Sequence, residues 1–306
     1  STFIDSIQRY VHKGRIHAEI NQLRSDQGGT VSGRLSYANP NLQQIPARNK
    51  EYGNKIRSLF LPEEGRQWGS FDYSQQEPRL VAHYSASIGE RLDGSDEFIQ
   101  AYADESADFH QIVADMAGIS RTQAKTINLG LFYGMGKAKL SKELGIDKDK
   151  AEILLNRYNS RVPFVKKLAG AVTQSASKFG FIRTIKGRKC RFDKWEPATF
   201  GMNQAMDYNE AKANYGNNIR RAFTYKALNR LIQGSAADQA KQAMIDCYKA
   251  GFIPLLQIHD ELCFSIGEEK DINLIKNKME NAVENLKVPF KCDVALGRSW
   301  GEAKDE

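Results

Sequence analysis

The sequence predicts an α+β protein in which strand-like segments and a largely helical subdomain share the chain. Three observations lead there. Apolar residues from 78 to 179 recur mostly at helical spacing. Further on, apolar runs at 253–258 and 262–266 flank a tight three-residue turn, as the arms of a hairpin do, and another strand-like run follows at 289–296. Finally, 306 residues exceed the usual size of one core, so two subdomains are expected.

The segments 16–20 and 30–36, separated by Gly28 and Gly29, read as paired strands, and a polar, turn-rich stretch follows at 39–46. Trp68 to Asp72 reads as a short strand leading into a helix. Ser74 and Glu77 match a capping box, but Pro78 would then be the fourth helical residue, where it lacks a needed N–H. A start with Pro78 as the first helical residue is therefore expected, which frees Glu77 for another task. Ser120 and Gln123 form a second capping-box pattern, opening a helix toward Gly134. Val162-Pro163 starts a long helix whose apolar residues are Phe164, Val165, Leu168, Val172 and Phe179. Residues 181–192 read as a hairpin turning near Lys186-Gly187, 193–218 as a polar connector and 222–248 as helix. Ile272, Ile275, Met279, Val283 and Leu286 mark the face of a last helix.

The composition, 41% hydrophobic and 26% charged, argues against overall disorder. Lys and Arg total 44 against 37 Asp and Glu, a net charge of +7 that favours an anionic partner such as nucleic acid. Cys190, Cys247, Cys263 and Cys292 lie far apart with no C-x-x-C pair, which suggests neither a zinc site nor a disulfide framework and fits a reducing compartment; a cytoplasmic setting is expected, with an organelle left open. No apolar run reaches the ~20 residues of a membrane span, and no signal-peptide pattern opens the chain, so no membrane partner is expected. Ser1 in place of Met fits a fragment or a processed product.

Arg121 and Lys125 are four residues apart and share one helix face, and Leu129 and Tyr133 continue that row. No Asp or Glu occurs from 116 to 142, so nothing local neutralises the face; its natural partner is a polyanion with a ring attached. Arg183, Lys186, Arg188, Lys189 and Arg191 on the 181–192 hairpin suit phosphate contacts. Two acidic sites lie at strand ends, Asp72 and the turn His259-Asp260-Glu261. Together these residues make a chemical expectation: the aspartates hold Mg²⁺, and Arg121 and Lys125 hold a phosphate chain. Solvated faces and a merely exposed acidic turn are the open alternatives.

The same residues resemble the family A DNA polymerases, the class of bacterial DNA polymerase I and many phage replicases. Asp72-Tyr73-Ser74-Gln75-Gln76-Glu77 is similar to the first palm motif, Arg121 through Gly134 to the fingers motif R-x3-K-x7-Y-G, and Gln257-Ile258-His259-Asp260-Glu261 to the third motif. Residues 30–36 with 41–46 resemble the primer-template segment, and 229–238 the helix before the third motif. The resemblance implies a right-hand polymerase with an antiparallel-sheet palm and helical fingers, the thumb largely absent from this chain. The implied domains are 1–13, a thumb remnant or lead-in; 14–84, the first part of the palm; 85–224, the fingers with the basic hairpin and connector; and 225–306, the second part of the palm.

It further implies template-dependent addition of deoxynucleotides to a primer 3′-hydroxyl, with pyrophosphate released. Two Mg²⁺ ions, or Mn²⁺ in substitution, would be held by Asp72, Tyr73 and Asp260, with Glu261 as an acidic neighbour. His110, Arg121 and Lys125 would hold the triphosphate, with Lys125 as proton donor to pyrophosphate. Gln75, Glu77, Leu129 and Tyr133 would complete the nucleotide site, Glu77 excluding a ribose 2′-hydroxyl. Arg34, Asn41, Gln44, Asn229, Gln233, His259 and Arg188 would contact primer-template DNA. An upstream thumb or exonuclease segment, or a separate subunit, is the expected further partner. Two other functions stay open: a non-catalytic nucleic-acid-binding fragment or subunit, and a polymerase that also copies RNA.

The chain departs from the family pattern in places. Pro78 replaces an aliphatic residue, Tyr225 stands where bacterial members often have Arg, and the connector resembles phage-type members. Leu129 stands where most members have Phe or Tyr, near the incoming sugar. Leu129→Phe is therefore expected to change the ratio of dideoxy to deoxy incorporation in a competition assay, and an unchanged ratio would remove that role for position 129.

Overall fold

The computed structural model describes residues 2–25, 28–46, 50–87, 95–103, 108–132, 135–199, 201 and 204–304. Helix α1 (Thr2–Gln8) is followed by two small antiparallel pairs, β1 (Val11–His12) with β2 (Arg15–Ile16) and β3 (Glu19–Asn21) with β4 (Ser36–Ala38). Helix α2 (Lys50–Arg57) and strand β5 (Gln67–Tyr73) come next. A run of helices follows: α3 (Gln76–Ser87), α4 (Ser95–Ala103), α5 (Phe109–Ala117), α6 (Arg121–Phe132), α7 (Lys137–Leu144), α8 (Lys148–Arg161) and α9 (Pro163–Phe179). Hairpin β6 (Phe181–Arg183) and β7 (Lys189–Arg191) precedes β8 (Trp195–Pro197), α10 (Tyr208–Tyr215) and β9 (Ile219–Arg221). The chain ends with α11 (Ala227–Lys249), β10 (Leu256–Ile258), β11 (Glu261–Ile266), α12 (Glu269–Glu280) and β12 (Cys292–Gly297). The fold is α+β, as expected, and among the described residues no helix is long and apolar enough to cross a membrane.

The chain divides into two compact units. The first comprises Ser1–Gln76, Ala236–Asn285 and Phe290–Glu306; the second comprises Glu77–Ser235 and Leu286–Pro289. The expected boundaries were 84/85 and 224/225.

In the first unit, β10, β11, β5 and β12 form an antiparallel sheet in that order, so β5 is internal. Its residues are accordingly apolar and buried: Trp68 is 2%, Phe71 0% and Tyr73 2% exposed. Gly69 lets the faces close, because a Cβ there would lie 2.6 Å from Ile266 Cγ1. On one face Phe71 meets Phe264 edge to face at 5.6 Å, and the Tyr73 hydroxyl donates to the Met279 carbonyl of α12 at 2.7 Å. On the other, Trp68 stacks on Trp300 in a core that includes Leu35, Tyr37 and Ile56. The register also places Glu261 and Asp293 opposite Asp72, so three strands bring carboxylates to one end of the sheet.

Three expectations about local structure are corrected here. The N-terminal pairing joins β3 to β4 rather than to 30–35. Thr30 Oγ1 bonds the Arg34 carbonyl at 2.8 Å and Gly33 adopts φ 85°, so 30–35 turns instead of extending. Helix α3 begins at Gln76, not Pro78. The first-turn N–H groups of a helix have no intrahelical acceptor, so the N–H that Pro78 lacks is not missed there. Finally, the polar connector contains α10 and β8, which pairs with β9. Three-residue strands are too short for periodicity to reveal. Arg220 Nε to Glu196 Oε1 at 2.9 Å and the Arg221 guanidinium over Trp195 hold that pair together.

In the second unit, α5, α6, α8 and α9 build the core with Phe109, Ile127, Tyr158, Phe164 and Leu168, all at 0% exposure. Pro163 occupies the first turn of α9, and Gly180 ends that helix in the left-handed region at φ 74°. The basic hairpin turns at Gly187, φ 80°, as expected.

Candidate functional site

Two constellations stand out, one in each unit. In the first unit, Asp72 is the penultimate residue of β5, Glu261 opens β11, and Asp260 lies in the turn between β10 and β11. The turn is tight: His259 takes φ 56°, and the Tyr73 N–H donates to the Asp260 carbonyl at 3.3 Å. Burial pushes the Asp72 carboxyl up to about 7, helped by the charges of Asp260 and Glu261 and opposed by Lys304. Asp260 is raised too, again mainly by burial, while Arg34 and His259 pull the other way. Both groups are therefore poorly compensated as anions.

Glu261 accepts from Ser70 Oγ and from Cys263 Sγ, and Lys304 Nζ sits 3.3 Å from its Oε2 and 3.5 Å from Asp72 Oδ2. Burial works against the Lys304 charge, yet Glu261 and Asp72 hold it above the usual lysine range. Nothing in the local sequence signals Lys304, which stands 232 positions from Asp72.

Among the described residues, no group of three or more His, Cys, Asp or Glu side chains is arranged as a metal cage. Two hard carboxylates at Asp72 and Asp260 match a Mg²⁺ ion that completes its shell with water and substrate oxygens. The residues present thus fit that ion and not a soft, fully ligated one.

Around this sheet end, Arg34, Lys241, Gln257 and His259 line a small depression. Asn41 is partly spoken for, since its Oδ1 accepts from the Gln43 N–H and caps the short 3-10 helix Leu42–Gln44, leaving Gln44 exposed. Gln43, which the motif reading did not single out, donates to the Leu35 carbonyl at 3.3 Å. Gln75 holds φ 52° just before α3.

In the second unit the capping box of α6 is complete: the Gln123 N–H donates to Ser120 Oγ at 3.2 Å, and the Ser120 N–H to Gln123 Oε1 at 3.1 Å. One expectation is corrected. The basic face is not free of acid, because Arg121 Nε meets Asp108 Oδ2 at 2.7 Å. Asp108 also caps α5, accepting from the His110 and Gln111 N–H groups. Partial burial disfavours its charge, but these bonds hold its carboxyl below the usual range. Arg121 is thereby oriented while half of its side chain stays exposed.

Lys125 is exposed one turn along α6. Leu129 lies one further turn on in that helix, and Tyr133 lies outside the described residues. His110 is buried, and its Nδ1 is 3.1 Å from Asn128 Nδ2. Burial, with Arg121 and Lys125, lowers the imidazole to about 4 against the pull of Asp108. Glu77 is half-buried in the first turn of α3. Of the α11 residues, Gln233 is half-buried, and Asn229 Nδ2 is buried without a partner among the described residues. Arg188 reaches from the hairpin to the Gly234 carbonyl at 3.0 Å.

Comparison with known proteins places this chain in a family. The model of DNA polymerase family A matches residues 1–302. A DNA-directed DNA polymerase of Pseudomonas phage M6 is 37% identical over 351 residues, covering 99% of this chain and 49% of the phage protein. The thermostable DNA polymerase I of Thermus filiformis is 35% identical, covering 100% of this chain and 35% of its own length. Among solved structures, the POL domain of Pol1 from M. smegmatis, in complex with DNA primer-template and dNTP, is 32% identical with a TM-score of 0.78. That match covers 99% of this chain and 51% of the solved one. The chain spans about half or less of the length of these relatives.

Proposed function

This chain belongs to DNA polymerase family A, and from that premise we propose that it carries out template-dependent DNA synthesis. It would add deoxynucleotides to a primer 3′-hydroxyl and release pyrophosphate. One observation carries the reading: Asp72 and Asp260, from a strand end and an adjoining turn, are half-buried, poorly compensated carboxylates, each raised mainly by its partial burial. Family A DNA polymerases generally use divalent metal ions. In this reading Asp72 and Asp260, with Tyr73 beside them, hold two Mg²⁺ ions, or Mn²⁺ in their place. Such ions, when bound, make the 3′-hydroxyl a better nucleophile and neutralise charge on the triphosphate.

The protein's own work is positioning, because phosphoryl transfer asks little covalent chemistry of side chains. Arg121, oriented by Asp108, and Lys125 bind the triphosphate, and Lys125 gives a proton to the departing pyrophosphate. His110 donates a hydrogen bond to the same chain of phosphates. Gln75, Glu77, Leu129 and Tyr133 shape the sugar and base site. Arg34, Asn41, Gln44, Asn229, Gln233, His259 and Arg188 bear on primer-template DNA, whose minor-groove acceptors are common to all base pairs. A cytoplasmic setting in a bacterial or phage-infected cell, and an upstream thumb or exonuclease segment or subunit, complete the proposal.

Lys304 favours a second reading, a non-catalytic binding module, because it partly balances Asp72 and Glu261 without a metal. Primer extension with Mg²⁺ on DNA and RNA templates separates the two. Extension of a DNA primer with deoxynucleotides supports the first; duplex binding without extension on either template supports the second. Extension on RNA as well would widen the template range.

A further inference from the structure

Helices α5, α6 and α8 meet at a buried polar chain that joins His110 to two side chains, Asn128 and Tyr158, given no role above. Tyr158 and Asn128 are both fully buried, and the Tyr158 hydroxyl lies against Asn128 Oδ1. Asn128 Nδ2 in turn lies 3.1 Å from His110 Nδ1. Among the described residues, Asn128 is the one partner of the Tyr158 hydroxyl. A buried phenol without an acceptor carries the desolvation cost of an unmade bond, so the hydroxyl donates and Asn128 Oδ1 accepts. The amide NH₂ must then face His110, and only a lone pair on Nδ1 can receive it.

We propose that Asn128 and Tyr158 are positioning residues that fix the His110 proton on Nε2, the nitrogen that then donates to the phosphate chain of an incoming nucleotide. The proposal rests on the polymerase reading for its ligand, but its geometry stands apart from that reading. An imidazolium would turn an Nδ1–H against the amide NH₂, so the same chain opposes a second proton on the ring. The charges acting on His110 among the described residues are Asp108 at the start of α5, which favours that proton, and Arg121 and Lys125 from α6, which oppose it. Burial opposes it too, and the balance leaves the ring neutral. His110 thus contributes a directional hydrogen bond, while Arg121 and Lys125 contribute charge.

Nitrogen-15 NMR of the histidine rings in the full chain reads this directly. The expected spectrum shows His110 with a pyrrole-like Nε2 and a pyridine-like Nδ1, unchanged between pH 8 and about pH 6. A proton on Nδ1, or titration near the ordinary histidine value, would overturn the proposal. Tyr158→Phe keeps the ring in the core and removes only the hydroxyl. It is expected to mix the two tautomers and raise the KM for nucleotide by up to about tenfold, with kcat little changed, as loss of one well-aimed hydrogen bond to an anion would. In a His110→Ala background the same change should move KM less than about twofold. An equal effect in both backgrounds would make Tyr158 merely structural and overturn its positioning role. If the chain extends no primer, the NMR result still decides the tautomer, and the failure belongs to the polymerase reading.

Discussion

Replacing Asp72 with Asn is expected to reduce primer extension by at least two to three orders of magnitude and, without divalent cation at pH 8, to raise the melting temperature by a few degrees. Both effects follow from one geometry. Asp72 shares a sheet end with Asp260 and Glu261, and burial raises its affinity for a proton before those neighbours add to it. Ionised, it is held where like charges repel, with Lys304 as a partial counterweight. Asparagine keeps the shape and removes the charge, so the fold gains what the chemistry loses, a trade expected at sites built for charged ligands. Mg²⁺ should raise the melting temperature of the parent protein, because it binds only the folded site, and should do so far less for Asp72→Asn. The measurements are single-nucleotide extension and thermal unfolding with EDTA or Mg²⁺. Extension at the parental rate would refute the metal-holding role, and an unchanged or lower melting temperature in EDTA would refute the electrostatic argument.

Trp300→Ala is expected to cost about 3–5 kcal/mol, the range for truncating a large buried aromatic. Trp300 is 1% exposed, stacks on Trp68 at 6.2 Å, meets Phe60 edge to face at 5.6 Å, and carries the Arg57 guanidinium 4.9 Å above its ring. Gly301 beside it cannot be enlarged to relieve the loss, since a Cβ there would lie 2.5 Å from the Asn54 carbonyl oxygen. The same turn carries Lys304, so loosening it should also weaken the ion pairs to Asp72 and Glu261. Urea unfolding followed by circular dichroism tests this, with Trp300→Phe expected to fall between. A loss below about 1 kcal/mol would mean that Trp300 does not anchor this core.

What the sequence revealed and what it hid follow a common physical line. Features written in adjacent residues were legible: the Ser120 and Gln123 box that opens α6, Pro163 at the head of α9, and the apolar run of β11 with its turn at Asp260. Helix α3 starts two residues before Pro78, the first helical residue that the sequence predicts, because any residue of the first turn can lack an N–H. Asp108 lay outside the acid-free window around α6 because it arrives from the cap of α5, and a charge count along one segment cannot register a partner from another. Lys304, Asn128 and Tyr158 were invisible for a stronger reason. Their roles exist only in the packing, between side chains 18 to 232 positions apart. The family resemblance supplied the proposed reacting groups; the surrounding contacts came from tertiary structure.

Asp72 and Asp260 are expected to form the divalent-cation site of a DNA-synthesising enzyme. Mn²⁺ binding measured by electron paramagnetic resonance, with primer-template DNA and a deoxynucleoside triphosphate present, tests it most directly. The expected result is Mn²⁺ bound by the parent protein, displaced by Mg²⁺, and weakened by at least about tenfold in both Asp72→Asn and Asp260→Asn. Equal Mn²⁺ affinity in the parent and both variants would contradict it.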